Sequence, residues 1–195
     1  NMANGWMTLW NSSRVVSSEG SWIRGGMGST FDATTGIEWN VSIPTGLEGS
    51  VVAANFEDRI VGNDAPGYLS MGDLPIHTWA ISLEPGNEGD LIFNTEWNPP
   101  PGDLTITWGT RYTGKPSFED KVYLIWSKDT RQLYGFDLDT GDLLWGPTEP
   151  QHYLDYLGIE VVIAEGKVFS GRMAGIVNCY DIKTGDLLWE YSVAD

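Results

Sequence analysis

Along most of the chain, apolar positions come in short runs or alternate with polar ones over four to seven residues, and Gly, Asp, Asn or Pro breaks each run. That is the pattern of strands and tight turns rather than of amphipathic helices. The C-terminal half is the most regular: GIEVVIAEG, KVFSGRMAG and CYDIKTGDLLWEY follow one another from Gly158 to Tyr191. They predict strands near 159–164, 167–172, 175–181 and 186–192, and a second set is expected near 104–109, 121–127, 132–138 and 142–146.

The two sets are copies. YGFDLDTGDLLWG at Tyr134–Gly146 returns as NCYDIKTGDLLWE at Asn178–Glu190, so Asp137, Thr140, Gly141 and Trp145 recur as Asp181, Thr184, Gly185 and Trp189, 44 residues on. Asp and Thr side chains can bond turn amides, and Gly accepts the left-handed backbone that a Cβ penalises. A third copy, TFDATTGIEWNVSIP, keeps Asp32, Thr35, Gly36 and Trp39 with one residue fewer between Gly and Trp. A fourth, WAISLEPGNEGDLIFNTEW, has Ser82 in place of the Asp, an enlarged turn and Trp97 as its candidate tryptophan. From Trp39 the steps are 58, 48 and 44 residues, which is one repeat class with insertions.

Each unit reads as four antiparallel strands. Leu143 and Trp145 point to one face of the last strand and Leu144 to the other, so neither face suits water. Radial stacking of such sheets as propeller blades covers both faces, with each tryptophan between its own blade and the next; Trp145 and Trp189 are therefore both expected to be mostly buried. The expectation is an all-β fold, a β-propeller of four-stranded antiparallel blades, with 1–195 as one partial domain and blades near 1–44, 45–100, 101–148 and 149–195.

The motif Asp-x-x-Thr-Gly-x-x-x-Trp, with an aromatic just before the Asp, resembles the tryptophan-docking motif of the pyrroloquinoline-quinone (PQQ) repeat, or quinoprotein-like, β-propellers. It covers the last two units closely, Asp32–Trp39 less so and Ser82–Trp97 least. The resemblance implies about 3.5–4 blades of a seven- or eight-bladed ring, hence a fragment; a compact four-bladed ring is the alternative. It also implies one of two functions. Quinoprotein alcohol or sugar dehydrogenases hold PQQ and calcium on the propeller axis; non-catalytic members, such as the outer-membrane assembly lipoprotein, bind proteins.

Composition bears on that choice. The formal charge is −16, from 27 acidic against 11 basic side chains, a field that repels phosphate backbones and argues against nucleic acid. No run of about 18 apolar residues is present to cross a bilayer. Cys179 is the sole cysteine, so no internal disulfide can form, and its strand position reads as a small buried residue. The dehydrogenases' adjacent Cys-Cys pair is absent. WGTRYTGKPSFED at Trp108–Asp120 faintly resembles their calcium-binding stretch, but Lys115 stands where the calcium-binding Asn would be, and a fixed cation opposes a metal. Trp108 and Trp126 are candidate walls for a quinone, with blade core as the commoner role.

Other chemistry templates are empty. His77 and His152 lie 75 residues apart without zinc-site spacing and read as loop or core residues. Glu57/Asp58 and Glu119/Asp120 read as solvated turn carboxylates. Asn11 and Asn40 head N-x-Ser sequons, candidate glycosylation sites if the chain is exported. The reading is therefore a non-enzymatic scaffold, extracellular, periplasmic or at the cell surface, with no cofactor and with a protein partner or the remainder of the propeller as its partner. The competing reading is a fragment of a PQQ- and calcium-dependent dehydrogenase.

Overall fold

The computed structural model describes residues 2–3, 5–15, 32–64, 75–99, 116–127, 130–151, 160–171 and 175–193. Among these residues, fifteen strands form four antiparallel sheets, each built from consecutive strands. Sheet 1 holds β1 (Met2–Ala3), β2 (Trp6–Trp10) and β3 (Ile37–Ser42); sheet 2 holds β4 (Ser50–Asn55), β5 (Arg59–Asn63), β6 (Ile76–Ser82) and β7 (Leu91–Trp97). Sheet 3 holds β8 (Pro116–Ser117), β9 (Val122–Ser127), β10 (Gln132–Asp137) and β11 (Leu143–Trp145), and sheet 4 holds β12 (Glu160–Ala164), β13 (Lys167–Gly171), β14 (Ile176–Asp181) and β15 (Leu187–Ser192). The strands expected in sheet 4 and the last three of sheet 3 fall where the alternation puts them. On the side of β9 away from β10 the paired strand is Pro116–Ser117; the segment expected at 104–109 lies outside the described residues.

Hydrophobic clusters join the sheets in chain order. Met7 of sheet 1 packs on Trp79 and Ile81 of sheet 2, with Trp39 and Val41 at the margin. Val61, Ile76, Ala80 and Phe93 meet Tyr123, Ile125, Tyr134 and Phe136 of sheet 3. Val122, Leu124, Trp126, Leu133 and Trp145 meet Val161, Val168, Tyr180 and Ile182 of sheet 4. Both faces of sheets 2 and 3 are thus covered, as a β-propeller requires. Among the described residues, none of these clusters joins sheet 4 to sheet 1.

The register of the last hairpin is the same in all four sheets. A shift falls at Leu9/Trp10, Ala80/Ile81, Gly135/Phe136 and Cys179/Tyr180, and just past it Trp39, Phe93, Trp145 and Trp189 sit opposite Leu9, Ala80, Gly135 and Cys179. This corrects the expected place of Trp97. The equivalent residue of sheet 2 is Phe93, because the turn enlarged around Pro85 and Gly86 lies before the strand and adds nothing after it. Trp97 pairs with Ile76 and packs its ring on Tyr134 and Phe136, at centroid distances of 5.0 and 5.1 Å.

The turns carry a matching correction. Asp137 and Asp181 take the amide two residues on, at 2.7 and 2.8 Å, and the next amide at 3.0 Å. Ser82 Oγ does the same for Glu84 at 3.0 Å, and in sheet 1 it is Asn11, not Asp32, that does so for Ser13 at 2.9 Å. The backbone agrees: Asn11, Ser82, Asp137 and Asp181 donate to Gly36, Asp90, Asp142 and Asp186, which closes each hairpin. Sheet 1 carries a long insertion inside this turn, so its two halves are far apart in sequence. Asp32 instead caps a short 3-10 turn, accepting from Thr34, while Thr35 Oγ1 donates to its carbonyl. Gly36 lies against the Trp10 indole.

Candidate interaction surfaces

The recurring turn and aromatic together form the joint between blades. The Trp145 indole lies between Gly135 of its own sheet and Gly185 in the turn of sheet 4; a Cβ on either would approach the ring to 2.2 or 2.4 Å. Its Nε1 donates to the Ile182 carbonyl at 2.9 Å, and the residue is 8% exposed. Gly185 and Gly141 have φ of +73° and +80°, so each turn needs glycine for its backbone as well as for space. Phe93 makes the corresponding approach to Gly141 between sheets 2 and 3. Thr140 and Thr184 brace the same turns, their Oγ1 atoms accepting from Asp142 and Asp186 at 3.2 and 3.3 Å.

Trp189 departs from its expected burial: it is 44% exposed. The physical reason is the order of the stack. Phe93 and Trp145 dock on the following sheet's turn, and sheet 4 has no following sheet among the described residues. Val162, Phe169, Cys179 and Trp189 form one row across sheet 4, each the register partner of the next. Phe169 and Trp189 contact each other at a centroid distance of 6.0 Å, and Tyr191 and Val162 flank them at 59% and 58% exposure. Cys179 within this row is a buried free thiol. At the opposite end of the stack, Trp6, Thr8, Trp10, Ile37 and Asn40 line a cavity on the outer face of sheet 1. Asn40 accepts from Thr8 there at 3.2 Å, and Asn11 donates through Nδ2 to Glu38 at 2.6 Å.

Polar links bind neighbouring blades. Arg59, 5% exposed, spans from Asp58 at 2.8 Å to the Leu138 carbonyl at 2.5 Å and Asp139 at 2.7 Å in the turn of sheet 3. Burial pushes the Asp58 carboxyl up, but hydrogen bonds from Arg59 and Asn55 and the charges of Arg59 and Lys121 outweigh it and hold the group below the ordinary carboxylate range. Asp58 is thus an inter-blade anchor, not the solvated carboxylate expected, whereas Glu57 is exposed with a φ of 60°. Lys183 of sheet 4 donates to the Asp120 carbonyl of sheet 3. The buried Tyr123 hydroxyl, accepting from Asn63 across sheets 2 and 3, has its pKa raised by burial. No single motif marks Asn63, Arg59 or Phe93 in the sequence, because each acts on a partner from another blade.

Of the residues weighed for a cofactor, Trp126 is 3% exposed in the core between sheets 3 and 4 and does not fit a quinone wall. Trp108, Lys115 and His152 lie outside the described residues. No helix among the described residues is long and apolar enough to cross a membrane.

Stacked antiparallel sheets, three of them four-stranded among the described residues, joined face to face through a repeated turn and aromatic define a β-propeller of the PQQ-repeat class. A family model described as outer membrane protein assembly factor BamB matches residues 95–195, just over half of the chain, and the chain belongs to that PQQ-repeat family. No curated protein matches it. Among solved structures it is similar to BamB from Moraxella catarrhalis, at 14% identity and a TM-score of 0.47 over 82% of this chain and 42% of that one. It is also similar to the computationally designed Ika4 protein, at 18% identity and a TM-score of 0.43 over 75% and 74% of the two chains. A europium-containing methanol dehydrogenase follows at 16% identity and a TM-score of 0.39 over 62% of this chain and 22% of that one. The chain thus spans less than half the length of that BamB.

Proposed function

We propose that this chain is an arc of a PQQ-like propeller acting as a non-enzymatic, protein-binding scaffold outside the cytoplasm: extracellular, periplasmic or at the cell surface. Its 195 residues form one partial domain with a blade for each sheet, completed by further blades of a seven- or eight-bladed ring or by a protein partner. The observation that carries the reading is the row Val162, Phe169, Cys179 and Trp189, in which Val162 and Trp189 are exposed and Phe169 is half-buried above the buried Cys179. The corresponding aromatics Phe93 and Trp145 pack under the next sheet, so this face has the chemistry of an interface. Its flanking Tyr191, like Trp189, offers large rigid contact area of the kind that dominates binding hot spots. The net charge of −16 disfavours nucleic acid. In an exported chain Asn11 and Asn40 are the glycan acceptors.

The test is titration with PQQ and Ca²⁺, followed by tryptophan fluorescence. A scaffold leaves emission unchanged; saturable quenching replaces this reading with a quinoprotein alcohol or sugar dehydrogenase fragment.

A further inference from the structure

One end of sheet 2 gathers side chains that the propeller architecture does not use. His77 near the start of β6 and Glu96 near the end of β7 are register partners, so their side chains share a face. His77 Nδ1 lies 2.7 Å from Asp64 Oδ2 and 3.6 Å from Glu48 Oε2, while its Nε2 lies 3.3 Å from Glu96 Oε2.

The backbone forces this grouping. Gly49, at a φ of +82°, presses so closely on the Asn63 carbonyl and the Asp64 amide that a Cβ there would sit 1.9 Å from the oxygen. That approach brings Glu48 beside Asp64. The Trp79 indole fixes it by donating to the Glu48 carbonyl at 2.7 Å, and Asp64 is fixed in turn by accepting from the His77 amide at 2.7 Å.

Two carboxylates are thus held together instead of being left to separate, with a third on the far side of one imidazole. Among the described residues no lysine or arginine pairs with any of the three. Even with His77 protonated the group keeps a net charge of −2, counted from three carboxylates and one cation.

We propose that His77 Nδ1, Asp64 and Glu48 form a site for a divalent transition-type cation, of which zinc is the representative. Their ligand atoms lie within 4.8 Å of one another, so sub-ångström to ångström side-chain shifts bring them to the ~3.3 Å spacing of a tetrahedral zinc shell. A nitrogen donor beside two oxygens favours zinc over calcium and magnesium, which take oxygen shells. In the metal-free chain the Nδ1 proton lies between His77 and Asp64 Oδ2 at 2.7 Å, and the cation takes its place; Glu96 is the positioning residue, its Oε2 3.3 Å from Nε2, where it holds the remaining ring proton and orients the imidazole. The fourth position is open to water.

The test is calorimetric titration of the whole chain with Zn²⁺ in enough salt to screen nonspecific uptake by its −16 surface. One saturable zinc per chain is expected, weakened at least about tenfold in Glu96→Gln and abolished in His77→Gln, which keeps every carboxylate. Glu48→Gln changes an exposed loop side chain and leaves the fold unchallenged, so loss there guards against misfolding of the histidine variant. Zinc uptake retained in either His77→Gln or Glu48→Gln, Ca²⁺ binding with equal affinity, or no saturable zinc in the wild type each overturns the site.

Discussion

Trp145 and Gly185 meet face to face across two blades: the indole covers the glycine Cα so closely that an added Cβ would stand 2.4 Å from Cε3. Gly135 backs the other face of the ring, and Ile182 takes its N–H. Removing this ring opens a cavity between sheets 3 and 4 and strips the Ile182 carbonyl of its donor. Trp145→Ala is expected to cost about 3–5 kcal/mol in urea unfolding. A melting temperature unchanged by the substitution would show that the indole is not docked.

The same contact separates two effects at positive-φ glycines. Gly86, at a φ of +91°, has no atom within 4 Å of an added Cβ, so Gly86→Ala carries only backbone strain, about 1–2 kcal/mol. Gly185→Ala carries that strain and displaces the Trp145 ring as well. Its unfolding free energy should fall well below that of Gly86→Ala, and equal losses in the two variants would refute the sandwich.

Arg59 joins blades 2 and 3 through charge. It is buried against Asp58, the Leu138 carbonyl and Asp139, so Arg59→Met, which keeps the apolar stem, removes all of its donors and leaves Asp58 with only Asn55 at 3.3 Å and Lys121 at 3.4 Å. The expected cost is about 3–5 kcal/mol. Asp139→Asn, at an exposed carboxylate, should cost less than about 1 kcal/mol. Equilibrium denaturation of both variants decides it: comparable losses would mean that the link is made at the surface.

How much of this was legible depended on the turns. In units three and four the hairpin turn is short and of equal length, so Asp137 and Asp181, Gly141 and Gly185, and Trp145 and Trp189 align by spacing alone. In unit two the turn grew and the aromatic became Phe93, so Trp97 at the strand's end was the more visible candidate. In unit one the insertion separates Asn11 from Gly36, and the nearby Asp32 imitates the motif without occupying its position. The cluster at Glu48, Asp64, His77 and Glu96 had no linear signal at all. Its members come from a loop, a strand end and two strands, and only the close approach at Gly49 assembles it.

Buried phenols set an alkaline limit. Tyr123, Tyr134 and Tyr180 all have pKa values raised by burial, opposed in part by hydrogen bonds from Asn63 to Tyr123 and from Gln151 to Tyr180. A raised folded value means that the stabilisation is whole below the unfolded tyrosine pKa of about 10 and declines as pH climbs past it towards the folded values. Denaturation midpoints should therefore hold steady from neutral pH to about 10 and drop above it. The phenolate absorbance of these residues should rise together with unfolding. Tyr123→Phe should flatten the decline; an alkaline profile identical to wild type would remove Tyr123 from the account.

The exposed row of sheet 4 bears on behaviour in solution. Val162, Phe169 and Trp189, with Tyr191 beside them, present an apolar face on a chain of charge −16. Apolar burial favours association through that face, while the net charge opposes the approach of a second copy. Salt weakens only the opposing part, since about 0.15 M already shortens the screening length to about 8 Å. Association should therefore strengthen as salt rises, whereas association through ion pairs would weaken. Sedimentation across a concentration series is expected to show self-association of the wild type that increases with salt. The double substitution Trp189→Ser and Tyr191→Ser should return the chain to monomer with a smaller loss of melting temperature than Trp145→Ala, since Trp189 is 44% and Tyr191 59% exposed and the ring contact given up is that with Phe169. A wild type that stays monomeric at every concentration and salt level would mean that this face is not an interface, and the scaffold reading would lose the observation that carries it.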